Sequence, residues 1–260
     1  MARFLKMHGL GNDFVVFDAR VEAVAMDAAR AQAIADRRTG VGCDQVILLE
    51  PSDIADVRMR IWNADGSEVE ACGNATRCVA LLGAETIETL GGVLKAEANG
   101  AGATVDMGQP RFGWDEIPLA YRIDAAAMPV AWEDLEEPFA VNVGNPHAVF
   151  FVEDADAVDL KRLGPLIEHD PLFPERVNVN VASVEGAAIR LRVWERGAGL
   201  TLACGTGACA TAVAAIRRGL AASPVEVRLP GGTLSIEWAP GGTIRMTGPA
   251  THVFSGELAL

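Results

Sequence analysis

Two stretches of the chain alternate apolar and basic side chains in the same order: Val57-Arg58-Met59-Arg60-Ile61-Trp62 and Ile189-Arg190-Leu191-Arg192-Val193-Trp194. A period of two predicts β-strands with one apolar face turned to a core. The apolar runs in "NDFVVFD" (12–18) and "NPHAVFFV" (145–152) predict further strands. Segments 91–108 and 231–248 each open on Gly-Gly and carry a second Gly-rich turn, which predicts hairpins. Residues 205–218 are apolar or small on every side, the pattern of a buried helix, with Gly219 placed to end it. A shorter counterpart follows Gly73 and ends near Gly83. Residues 25–40 read as an amphipathic surface helix with a Gly stop.

These patterns repeat in one order. "GLGNDFVVF" (9–17) matches "NVGNPHAVF" (142–150), and each Arg-rich stretch reaches a Trp placed ten residues before the Cys of an Ala-Cys-Gly. The two hairpins also correspond. Four segments in register mark an internal duplication, with repeats at about 11–110 and 144–250. The expected fold is α/β (α+β): two pseudo-symmetric repeats, each a curved mixed or antiparallel sheet wrapped around a central buried helix. Residues 1–112 plus 251–260 would form one domain and 113–250 the other, with an active site in the cleft between them. The acidic stretch 115–137 would connect the halves.

Composition narrows the function. The chain has 260 residues, half of them hydrophobic, enough for two cores and too apolar for disorder. Its net charge of −13 and the lack of a basic stripe argue against a nucleic-acid partner. "MARFLKMHGLGNDF" lacks the apolar core of a signal peptide, and no run approaches about 18 apolar residues. No membrane partner is expected, and the location is read as cytoplasmic. The five cysteines, an odd number without Cys-x-x-Cys spacing, point to reduced thiols rather than disulfides or a metal site.

Cys72 and Cys204 stand where the two buried helices begin. Cysteine is a poor helix cap, and a lone one there would usually be a small buried hydrophobe. The repetition favours chemistry, since a helix N-terminus lowers a thiol's pKa. Gly73 and Gly205 follow, allowing close approach, and the next amides, at Asn74 and Thr206, would be first-turn donors suited to an anion. Two such ends facing each other would hold one carboxylate with a thiol on each side of the adjacent carbon. That arrangement suits inversion of a stereocentre: one base removes a proton from one face and an acid delivers one to the other. Charge spreading into the carboxylate meets the helix ends. The argument requires no cofactor and no metal.

"MHGLGNDFVVFD", "NADGSEVEACGNATRC", "GNPHAVFF", "ERVNVN" and "WERGAGLTLACGTGACATA" together resemble the diaminopimelate epimerases over nearly the whole chain. The resemblance implies a pyridoxal-independent interconversion of LL- and meso-2,6-diaminopimelate, serving lysine and peptidoglycan precursor synthesis in a cytoplasmic homodimer. It implies catalytic thiols at Cys72 and Cys204. It implies substrate contacts from Asn12, Gln45, Asn63, Gly73, Asn74, Asn145, Asn178, Glu195, Arg196, Gly205 and Thr206. His147 and Glu195 would tune the thiols. "GNATRC", Leu202 and Cys43 depart from the usual family pattern without touching a matched chemical position.

Other readings stay open at this point. A proline or hydroxyproline racemase would share the fold and the paired thiols, but its cyclic substrate has no distal end for Glu195 and Arg196. A non-catalytic amino-acid-binding protein would need neither thiol, and a redox sensor would pair them. "GLGNDF" and "GTGACATA" lack, respectively, the third Gly and the Lys of nucleotide-binding loops.

Overall fold

The computed structural model describes residues 1–70 and 72–259, so Ala71 of the first Ala-Cys-Gly lies outside the described residues. The chain divides into two compact units, Met1–Asp106 with Thr247–Leu260, and Met107–Met246.

The first unit opens with β1 (Ala2–Gly9) and β2 (Asn12–Asp18), an antiparallel hairpin in which Gly9 faces Asn12. Leu10 and Gly11 form its turn with φ of 57° and 86°, the doubly left-handed turn that matches strand twist. Helix α1 (Ala28–Ala35) starts at Asp27, whose carboxylate accepts from Arg30 N at 2.9 Å. It is half the length predicted from residues 25–40. Asp36 captures the amides of Arg38 and Thr39 at 2.8 and 2.6 Å, so a side chain replaces the next helical acceptors and the chain turns.

Strand β3 (Gln45–Glu50) lies parallel to β2, and β4 (Val57–Asn63) antiparallel to β3. After β5 (Glu68–Val69) and helix α2 (Gly73–Leu81) come β6 (Thr86–Thr89), parallel to β4, and the hairpin β7 (Gly92–Ala98) and β8 (Gly102–Asp106). Gly83, at φ 93°, follows α2.

The second unit repeats this order. A small hairpin, β9 (Ala131–Trp132) and β10 (Leu135–Glu136), precedes β11 (Phe139–Asn142) and β12 (Pro146–Phe151), which pair antiparallel as β1 and β2 do. Helix α3 (Leu160–Glu168) comes before β13 (Asn178–Glu185), parallel to β12. Strand β14 (Ala188–Glu195) pairs antiparallel with β13 and β15 (Gly199–Thr201). Helix α4 (Gly205–Arg217) follows, closed by Gly219 at φ 70° as predicted. Then come β16 (Val225–Leu229), parallel to β14, and β17 (Gly232–Glu237). Strand β18 (Arg245–Pro249) returns the chain to the first unit, where β19 (Thr251–Leu258) pairs with β1.

Residues Ala208–Ala215 of α4 are buried without a break, as the all-apolar pattern requires. The sheets are covered on their other face as well. Trp62 packs with Ala31, Ile34 and Ala35 of α1, and Trp194 packs with Leu160, Leu163 and Ile167 of α3. Helix α3 was not foreseen: it is nine residues long with Pro165 inside, too short and interrupted to give a clear period. A β-carbon on its Gly164 would lie 2.4 Å from the Trp194 ring, so only glycine allows this approach. The acidic stretch 115–137 is more than a connection. Ile117, Leu119, Ala125, Met128 and Leu135 are buried in the second unit's core.

No helix among the described residues is long and apolar enough to cross a membrane.

Candidate active site

The register of the two units brings the candidate residues into matching places. Gln45 faces Asn63 across β3 and β4, one pair beyond Val46 and Trp62. In the second unit Val179 faces Trp194, which puts Asn178 and Glu195 in the corresponding next positions. Phe14 pairs with Gln45 as His147 pairs with Asn178. Asn12 and Asn145 each stand two residues before those partners.

Cys72 is the N-cap of α2, with extended backbone and no side-chain cap bond. Its thiol donates to Asn12 Oδ1 at 3.7 Å, and Asn74 Nδ2 donates to the same oxygen at 3.1 Å. Asn12 Nδ2 donates to Asp44 Oδ2 at 3.0 Å, so donors on one side and a carboxylate on the other fix the Asn12 amide. Arg77, buried within α2, holds Asn74 Oδ1 at 2.8 Å. The β1–β2 turn closes on this helix tightly: a β-carbon on Gly9 would lie 3.0 Å from Arg77 Nη2. Gln45 Nε2 donates to Asn63 Oδ1 at 2.9 Å, and Asn63 Nδ2 to Ser67 Oγ at 3.1 Å. Gln45 Oε1 is buried with no partner among the described residues, an acceptor suited to an incoming donor.

Cys204 caps α4 in the same backbone conformation but with different chemistry. Its sulfur accepts from Gly207 N at 3.4 Å and lies 3.5 Å from Thr206 Oγ1. Glu195 accepts from Thr201 Oγ1 at 2.6 Å, and its charge acts on the Cys204 thiol. The expectation of a lowered thiol pKa at the helix start fails here. Cys204 is 3 % exposed, and burial, followed by the charge of Glu195, pushes its thiol well above the ordinary value. The Thr206 and Gly207 hydrogen bonds oppose that and lose. Burial also raises Glu195, against the hydrogen bond from Thr201.

His147 is fully buried on β12, with Nε2 2.9 Å from Asn145 Oδ1 and Nδ1 3.1 Å from Asn180 Oδ1. Asn180 Nδ2 donates to Gly207 O and Thr211 Oγ1, at 2.9 and 3.0 Å, which turns its oxygen to the ring. Burial pushes the imidazole down to about 4, past the opposing Asn180 hydrogen bond and aided by the charge of Arg196, so the ring is neutral at pH 7. Asn178 Nδ2 donates to Pro146 O at 2.8 Å, and its Oδ1 accepts from Arg196 N at 3.0 Å. The Arg196 guanidinium touches Glu175 O at 2.9 Å.

The structure thus gathers Asn12, Cys72 and Asn74, with Gln45 and Asn63 joined to each other, in the first unit. It gathers Asn145 with His147, Asn178 with Arg196, and Glu195 with Cys204 and Thr206, in the second. Gly73 and Gly205 open the two helices. Sequence reading missed Asp44, Thr201 and Asn180. For Asn180 the signal was present: in "NVN" it shares the strand face of Asn178, and a polar residue on a buried face needs partners. Among the described residues no group of three or more His, Cys, Asp or Glu side chains is placed to hold a metal ion.

The family model for diaminopimelate epimerase matches residues 4–113 and 139–253. The chain belongs to the diaminopimelate epimerase family. A diaminopimelate epimerase of Rhizorhabdus wittichii is 69 % identical over 262 residues, covering 99 % of this chain and 96 % of that protein. One from Sphingopyxis alaskensis is 68 % identical over 258 residues, covering 98 % and 96 %. Among solved structures, one described as a predicted epimerase from Pseudomonas aeruginosa superposes with a TM-score of 0.71 at 23 % identity, covering all of both chains. That likeness shows the fold. As a member of this family the chain is an isomerase.

Proposed function

We propose that the protein interconverts LL- and meso-2,6-diaminopimelate, with Cys72 and Cys204 as the acid–base pair. The observation that carries the reading is the pair of cysteine N-caps, one on each buried helix, each with a polar side chain at its sulfur, Asn12 at Cys72 and Thr206 at Cys204. The two helix starts would supply amide donors from Gly73 and Asn74, and from Gly205 and Thr206, to the carboxylate at the reacting carbon. One sulfur removes the α-proton while the other delivers a proton to the opposite face. The negative charge develops next to the carboxylate, where the donors lie.

The thiols enter differently. Cys204 starts protonated and is ready to donate. To act as base it passes its proton to Glu195, whose own proton affinity burial has raised. Asn12, Gln45, Asn63, Asn145 and Asn178 are read as substrate-holding groups, with Arg196 gripping the distal carboxylate. Neutral His147 gives its single N–H to the fixed Asn180 oxygen and leaves Nε2 as an acceptor for the amide group of Asn145. This chemistry uses the chain's own residues and calls on no cofactor.

The same reading makes the enzyme a cytoplasmic homodimer serving lysine and peptidoglycan precursor synthesis. In support of the dimer, β19 presents Val253 and Phe254 at 53 % and 45 % exposure, and sedimentation velocity would give a single species of twice the chain mass.

The assay is direct: incubate reduced protein with LL-diaminopimelate, with proline in a parallel sample, and separate stereoisomers by chiral chromatography. Meso product with proline unchanged supports the reading. Racemised proline with intact diaminopimelate, or two intact substrates, would contradict it.

A further inference from the structure

Glu168, the last residue of α3, is 2 % exposed. A carboxylate at a helix C-terminus sits at the unfavourable end of the dipole, and a buried one requires partners. Both oxygens have them. Oε2 accepts from Trp194 Nε1 at 2.7 Å, and Oε1 accepts from Gly197 N at 2.9 Å. The Arg176 guanidinium stands 3.8 Å from Oε1.

The two donors come from the residues on either side of Glu195 and Arg196. Trp194 is further pinned by its ring against Gly164, and the Arg196 amide is held by Asn178. The Glu195–Arg196 step is therefore fixed from outside, by one carboxylate that holds the residue on either side of it. We propose that Glu168 is a positioning residue, a clamp that sets the Glu195–Arg196 pair against the Cys204 thiol and the substrate. This rests on the reading of those two residues given above. Glu168→Gln keeps the shape but turns an N–H toward one of two N–H donors, so one end of the clamp must open.

Four proteins test it: wild type, Glu168→Gln, Trp194→Phe, and Ile167→Val. The last trims a buried side chain of the same helix that packs in the cluster under Trp194, and leaves both hydrogen bonds of the clamp in place. Three quantities are read: the melting temperature, the rate of Cys204 alkylation by iodoacetamide at pH 8 resolved by peptide mass spectrometry, and kcat and KM for diaminopimelate.

Glu168→Gln is expected to alkylate at Cys204 about threefold faster or more, because Glu195 no longer stays beside the thiol, and to raise KM about fivefold or more. Trp194→Phe removes one donor and is expected to shift both in the same direction by less. Ile167→Val is expected to lower the melting temperature and leave both unchanged. Glu168→Gln matching Ile167→Val in alkylation and KM would overturn the proposal. If Glu168→Gln does not fold, unchanged alkylation in Trp194→Phe would overturn it. Alkylation needs no substrate, so a wild type inactive on diaminopimelate would refute the functional reading while the clamp remained under test.

Discussion

The starts of α2 and α4 have the same backbone and opposite surroundings. Cys72 is half-buried and gives its thiol hydrogen to a neutral amide, Asn12. Cys204 is buried beside a carboxylate, Glu195. The difference runs through each matched pair. Asn63 stands where Glu195 does, Phe14 where His147 does, and Asp13 where Pro146 does. Duplication has kept the capped helix, the strand register and the Trp under an outer helix. It has let the side chains around each sulfur diverge.

The largest expected effect comes from removing either end. Cys72→Ala and Cys204→Ala should each lower kcat for epimerisation by about 10²–10⁴-fold, the range for loss of a general acid or base, with circular dichroism unchanged. A much smaller loss in one variant would mean the ends are not equal partners.

The second effect is confined to the second unit. His147, at about 4 when folded, lies below its ordinary value of 6.5. The unfolded chain therefore binds the proton more tightly. This contribution is complete above pH 6.5 and is lost as pH falls through 4, on the order of 3 kcal/mol. His147→Asn should flatten the acid limb of a urea-denaturation series between pH 6.5 and 4. An unchanged limb would remove His147 from the account.

The third belongs to the first unit. Burial alone would raise Asp13, but hydrogen bonds from Arg37 and Lys6 and their charges hold it at about 2. That stabilisation is present above the unfolded value near 4 and fades as pH drops toward 2. Asp13→Asn should cost about 1–2 kcal/mol at pH 7 and little near pH 2, measured by the same denaturation series. Pro146 in the matching place has no charge to lose, so the second unit has no such acid limb from this position.

The smallest is a rate. Wild-type Cys72 should be alkylated faster than Cys204, since it is the more exposed. Glu195→Gln should narrow the gap several-fold by removing the charge that raises the Cys204 thiol. A wider gap would reverse the role given to Glu195.

Much of this was legible in the chain. The Arg-alternating strands, the all-apolar helix and the repeated Ala-Cys-Gly each carry a strong local pattern, and their common order revealed the duplication. Helix α3 was hidden by its brevity and by Pro165. The state of Cys204 was hidden for another reason. A helix start is a local feature that lowers a thiol's pKa, whereas burial and the approach of Glu195 depend on how β14 and α4 pack, which no local pattern reports. Asp44 and Glu168 were missed similarly: each is an ordinary acidic residue in sequence and becomes a fixed partner only when the chain folds.

The central claim is that two sulfurs work from opposite faces of one carbon. The most direct test is to incubate wild type, Cys72→Ser and Cys204→Ser with each pure isomer in deuterium oxide, following the α-hydrogen by NMR and the isomers by chiral chromatography. The account predicts that wild type places solvent deuterium in the inverted product, and that neither variant inverts at more than a small fraction of that rate. Inversion by either variant at close to the wild-type rate would contradict it, because a single remaining thiol would then suffice.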